Sequence, residues 1–157
     1  MKIRILSVGK LKNPLYFEAI LDYLNRLKPM VYVRTEEVRD FPLRKGMSPK
    51  IVQDQEGEFL KERLKEDAFY VVLDVKGKQK SSEDFSELIA NWENRAVKEV
   101  TFIIGGAFGV SEEILRNARE RLSLSKMTLP HELARLVFVE QLYRVYTILK
   151  GLSYHHG

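Results

Sequence analysis

The hydrophobic pattern of the chain changes period at regular intervals, and each change is marked by a glycine, a proline or a capping residue. Residues 2–8 alternate polar and apolar and predict a strand closed by Gly9. Asn13-Pro14 places a capping side chain before a proline suited to the first helical position. Leu15, Ala19, Leu21, Leu24 and Leu27 then supply an apolar stripe up to Pro29. Alternation over part of 31–38 predicts a second strand, and 39–47 a basic loop. Ser48-Pro49 repeats the cap-plus-proline signal for a highly charged helix to about Lys65, one face of which must be solvated. The apolar run 69–75 predicts a strand covered on both faces, followed by a basic turn, 76–80. Ser81 with Asp84 three residues on has the form of a capping box, for a helix through Asn94. Residues 100–104 predict another buried strand, stopped by Gly105-Gly106-Ala107-Phe108-Gly109. Ser111, with Glu112 and Glu113 behind it, starts a helix. Residues 122–129 alternate and predict a strand, and Pro130 opens a last helix to about Lys150.

Strand and helix thus alternate five times. That order predicts an α/β fold, a mostly parallel sheet with helices on both faces, as one domain over 1–157. Ligands in such sheets bind beyond the carboxyl ends of the strands. Three segments fall there: 74–80, the glycine loop 105–109, and 125–131. The last helix is apolar on more than one face, so a second cover is expected, a partner subunit related by a two-fold axis.

Composition narrows the classes. With 45% hydrophobic and 31% charged residues the chain is globular, and no apolar run spans a membrane. No export signal opens it, so the cytoplasm is the expected location. Having no cysteine, it holds no disulfide or thiol nucleophile. Three histidines without a spaced carboxylate or further ligand make a poor metal set, and none is expected. The net charge of +4 is compatible with a polyanionic partner, and basic residues gather at Arg39, Arg44 and Lys45 and at Lys76, Lys78 and Lys80. The glycine loop lacks the GxGxxG spacing of dinucleotide enzymes and the Gly-Lys-Ser/Thr of a P-loop.

Several segments together resemble a known family. They are Ile104-Gly105-Gly106 with Gly109, Leu124-Ser125-Lys126-Met127-Thr128-Leu129-Pro130-His131, Glu140-Gln141-Leu142-Tyr143-Arg144, and Tyr154-His155. Val8-Gly9-Lys10, Leu73-Asp74 and Gly77-Lys78 extend the likeness over the whole chain. The family is the ribosomal RNA large subunit methyltransferase H group of SPOUT enzymes. The resemblance implies an α/β knot with the last helix threaded through a loop, and a homodimer through that helix. It implies S-adenosylmethionine as cofactor, held by Leu73, Gly105 and 124–129 (Leu124, Ser125, Lys126, Met127, Thr128 and Leu129), with Gly106 and Gly109 in the same loop. The implied reaction is methylation of N3 of a pseudouridine in helix 69 of 23S rRNA, on the assembled 70S ribosome. The tail departs from the family, with Ser153 where proline is common and His156 where a basic residue is common.

An imide nitrogen must lose its proton before it attacks a methyl group. His155 is the candidate proton acceptor, since an imidazole titrates at about 6.5. Tyr154 is the candidate for stacking on or hydrogen bonding the base, and Arg135 for holding a phosphate or the imide anion. The competing reading is a non-catalytic RNA- or ribosome-binding protein of the same fold.

Overall fold

The computed structural model describes residues 1–157. Its strands are β1 (Lys2–Val8), β2 (Tyr32–Val38), β3 (Tyr70–Gln79), β4 (Glu99–Ile104) and β5 (Glu120–Ser123). Its helices are α1 (Pro14–Leu27), α2 (Pro49–Lys61), α3 (Ser82–Asn94), α4 (Glu112–Asn117) and α5 (His131–Leu149). The strands lie in the order β2-β1-β4-β3-β5, with every neighbouring pair parallel. The alternating α/β reading therefore holds, in the predicted order.

Two-residue periodicity along the strands divides the core. Ile3, Ile5, Val71, Val100, Phe102 and Ile104 face one side, under Ile20 and Leu27 of α1, Phe85, Ile89 and Trp92 of α3, and Phe138, Val139 and Leu142 of α5. Leu6, Val8, Val72 and Ile103 face the other, under Leu60 of α2 and Ile114 of α4. Local signals behave as their chemistry dictates. The Asn13 side chain accepts from the Leu15 amide at 3.0 Å. Ser81 and Asp84 close a reciprocal capping box.

Two expectations about the sheet are corrected. The basic stretch 76–80 is not a turn up to Gln79, because β3 runs on to that residue and pairs with β5 after a register shift between Leu73 and Lys78. Gly77 permits the approach: a Cβ there would lie 2.6 Å from the Arg121 carbonyl carbon. Conversely, β5 starts at Glu120 and stops at Ser123, so 124–129 is no strand. Ser123 pairs with Gln79, the last residue of β3, and beyond it the alternating pattern has no neighbour to pair with.

Candidate active site

The carboxyl ends of three adjacent strands, β4, β3 and β5, open into a cleft of about 1120 Å³. Leu73 and Asp74 of β3 form one part of it. The glycine loop after β4 forms a second part. The segment after β5, together with His131 and Ala134 at the start of α5, forms a third. Of the residues expected to bind cofactor, Leu73, Gly105, Gly106, Gly109, Leu124, Ser125, Met127, Thr128 and Leu129 line the cleft. Lys126 is exposed and outside the lining, although it lies between two residues that belong to it.

The glycine loop is packed to its limit. A Cβ on Gly105 would lie 2.6 Å from Val110 Cγ2 and 2.9 Å from the Gly109 carbonyl carbon. A Cβ on Gly106 would lie 2.8 Å from Glu56 Oε2. Gly109 has φ +81, a backbone region that favours glycine. Gln53 of α2 donates to the Phe108 carbonyl and so ties the loop from outside. The segment 124–129 is held differently. Ser123 Oγ donates to the Ser125 carbonyl at 2.9 Å, and the Met127 amide donates to Ser125 Oγ at 2.9 Å. The amides of Lys126, Thr128 and Leu129 make no hydrogen bond within the chain. Backbone donors left free beside an apolar wall suit the polar edge of a bound ligand.

Charge enters the cleft through Asp74, Arg121, Lys76, Glu112 and Arg116. Asp74 Oδ2 accepts from Arg121 Nε at 2.9 Å. Lys76 and Arg116 are in no ion pair. Behind the glycine loop Glu56 is 4% exposed. Its Oε1 accepts from the Phe41 amide at 3.1 Å, and its Oε2 has no partner. Burial pushes its carboxyl above the usual range, against the opposing pull of the Phe41 amide. Nothing in the sequence marked Glu56 or Gln53, which sit in a helix whose charge suggested a solvated face.

Arg135 is buried, not exposed to a ligand. Its Nη2 donates to the Val8 carbonyl at 2.7 Å and the Gly9 carbonyl at 2.5 Å, and its Nη1 meets Glu37 Oε1 at 2.8 Å. It clamps α5 to the carboxyl ends of β1 and β2. Beside it Glu132 accepts from the Lys12 and Asn13 amides, which lower its carboxyl from the ordinary value.

Tyr154 and His155 lie outside the cleft lining, in a polar cluster made by α1, α3 and α5. His155 Nε2 is 2.6 Å from Glu83 Oε1, and its Nδ1 is 3.4 Å from Arg144 Nη1. Arg144 in turn pairs with Glu140, the i,i+4 contact the sequence suggested. Tyr154 Oη donates to Glu140 Oε1 at 3.1 Å and is 3.4 Å from Tyr23 Oη. Burial, then the Tyr23 hydroxyl and the Glu140 carboxylate, push the Tyr154 phenol upward, so it stays protonated. The hydrogen bond to its own backbone N–H, then those to His155 and Ser81, bring the Glu83 carboxyl down to about 2. At neutral pH Glu83 therefore accepts. Glu83 thus holds the imidazole at Nε2, while Nδ1 faces the Arg144 guanidinium.

Residues 1–155 match the sequence family described as "Predicted SPOUT methyltransferase". The chain belongs to the SPOUT methyltransferase family. SPOUT enzymes take their methyl group from S-adenosylmethionine. The cleft fits that molecule in its apolar walls, its side-chain-free glycine cradle and its unpaired amides. Curated relatives cover the whole chain. Ribosomal RNA large subunit methyltransferase H of Desulfotalea psychrophila (strain LSv54 / DSM 12343) is 42% identical over 156 residues, 99% of each chain. The proteins of the same name from Listeria monocytogenes serovar 1/2a and Halothermothrix orenii are each 40% identical over 158 residues, again 99% of each chain. No helix of this SPOUT chain is long and apolar enough to cross a membrane.

Proposed function

We propose that this SPOUT methyltransferase modifies large-subunit ribosomal RNA, at N3 of a pseudouridine in helix 69, on assembled ribosomes in the cytoplasm. The observation that carries the reading is the cleft: Thr128 and Leu129, with unpaired amides, line it together with the glycine loop and apolar walls, in a chain alike end to end to enzymes named as large-subunit ribosomal RNA methyltransferases. A protein that only bound RNA would have no use for such a cleft.

Leu73, the glycine loop and 124–129 would hold the cofactor. Bound there, S-adenosylmethionine supplies a methyl group on a sulfonium, ready for in-line attack. The chain must orient the base and take the imide proton. His155 is the proposed acceptor of that proton, its ring held in place by Glu83 at Nε2. The protonated Tyr154 hydroxyl can donate to the base or stack beside it. Arg135 acts as a positioning residue for the start of α5, where the cleft begins.

Tyr154 and His155 lie outside their own protomer's cleft lining, so the reading includes a homodimer in which the tail of a second copy completes each cleft. Apolar groups suited to such a partner stand unburied: Leu15, Phe17 and Leu21 on α1 beside α5, and Met127, 79% exposed at the cleft mouth. The knotted path of α5 belongs to the same reading, supported by the family match and by a cleft built from the loops that precede that helix.

The test is transfer of labelled methyl from S-adenosylmethionine to ribosomes from cells lacking the endogenous activity, with digestion to locate the label. Label on N3 of a helix 69 pseudouridine is expected. Cofactor binding with label elsewhere would overturn the target, and absence of cofactor binding would overturn the enzyme reading. His155→Ala should lower turnover with cofactor affinity intact; unchanged turnover would remove His155 from the reaction.

A further inference from the structure

The cleft does not end at its rim. A second concavity of about 290 Å³ continues from it along β3 and β5, and Lys76 and Arg121 line both. Its other walls are Gly77, Lys78, Ala118 and Glu120, so it is polar and basic where the cleft is half apolar. Lys76 and Lys78 are two apart on one strand and share a face. Both are exposed and neither is in an ion pair. The remaining charges are satisfied within the fold: Arg121 by Asp74, and Glu120 by Lys80 at 3.5 Å. Two uncompensated ammonium groups thus flank a shallow groove that leads straight into the cofactor cleft.

The fold places them there at a cost in sequence freedom. A side chain at 77 would collide with the Arg121 backbone, so only glycine lets β3 press against β5 while carrying a lysine on each side. A loop that needed solubility alone would not require that approach.

We propose that this groove seats the two backbone phosphates that flank the target nucleotide of the substrate RNA, with Lys76 and Lys78 as their charge contacts. The proposal rests on the RNA-modifying reading above. A nucleotide whose base enters the cleft carries its flanking phosphates at the rim. An ammonium group serves as a point-charge partner for a phosphate without demanding a fixed geometry.

The test compares the wild-type chain, Lys78→Gln and the double variant Lys76→Gln/Lys78→Gln. Lys98→Gln serves as control, an exposed lysine at the opposite end of the sheet beside the start of β4. Ribosome co-sedimentation and methyl transfer are each measured across a salt series, with cofactor affinity by calorimetry. Each lost phosphate contact should flatten the log affinity against log salt slope by about 0.7–0.9. The double variant should show roughly twice the change of Lys78→Gln and about a tenfold rise in KM for ribosomes, and Lys78→Gln, whose residue lies outside the cofactor cleft, should keep cofactor affinity within about twofold. Lys98→Gln should leave the slope unchanged. An unaltered slope in the double variant, or an equal change in Lys98→Gln, overturns the proposal. A wild-type chain that sediments with ribosomes but transfers no methyl group refutes the enzyme reading instead, and the sedimentation slopes still decide the phosphate contacts.

Discussion

Glu83 Oε1 lies 2.6 Å from Nε2 of His155 and joins the first turn of α3 to the end of the chain across 72 residues of sequence. The contact fixes the orientation of the imidazole ring. It also places the tail against three helices instead of leaving it free.

Acid should loosen that tail. The Glu83 carboxyl falls from its ordinary 4.5 to about 2 in the folded chain. A depressed carboxylate contributes fully above its unfolded value and loses that contribution as pH falls through the folded one. The contact should therefore be whole above about pH 4.5 and be lost as the pH falls toward 2. The His155 ring proton signals in NMR should shift with a midpoint near 2 in the wild type and show no such step in Glu83→Gln. A step that persists in the variant would assign the transition to another group.

Arg135 supports stability more than it serves a ligand. Removing its guanidinium leaves the Val8 and Gly9 carbonyls without that donor, while the exposed Glu37 carboxylate keeps the Leu11 amide. Arg135→Met should cost about 1–3 kcal/mol in urea denaturation. Arg135→Lys should recover only part of that, because an ammonium cannot span three acceptors as a planar fork does. A loss below about 1 kcal/mol for Arg135→Met would show that the clamp is dispensable.

Gly105→Ala should affect fold and cofactor together. The new methyl meets Val110 and the Gly109 backbone, so the loop must shift to admit it. A destabilisation of about 1–3 kcal/mol is expected from overpacking, with cofactor affinity reduced at least tenfold by calorimetry. Gly109→Ala meets no atom, but it sits at φ +81 and carries backbone strain alone. If Gly105→Ala binds cofactor like the wild type, the cradle is not at the glycine loop.

Glu56 should make the protein less stable as pH rises. Its folded carboxyl titrates above its ordinary value, so between the two values the folded state holds more protons than the unfolded one. Stability then falls as pH rises through that window and stays lower beyond it. Glu56→Gln keeps an acceptor for Phe41 and removes the charge. It should gain about 1 kcal/mol at pH 8, or roughly 2–4 °C in Tm, and nothing at pH 4. Equal Tm values at pH 8 would show that the orphaned oxygen is compensated by solvent.

Local chemistry determined much of this protein from sequence alone. The order of strands and helices follows from periodicity and punctuation, since Asn13-Pro14 and the Ser81–Asp84 box act within one turn of chain. The glycine loop and 124–129 were also legible as cleft material, because free backbone beside small or apolar residues is a local property. Tertiary structure decided whatever depends on a partner. Alternation in 122–129 could not make a strand past Ser123, where β3 has no further residue to pair with, and the lysine at 78 could not prevent one where β5 pairs with it. Burial of Glu56 in a charged helix, capture of Arg135 by the carbonyls of Val8 and Gly9, and the meeting of His155 with Glu83 had no signal along the chain. Each joins residues distant in sequence, and only packing brings such groups to hydrogen-bonding distance.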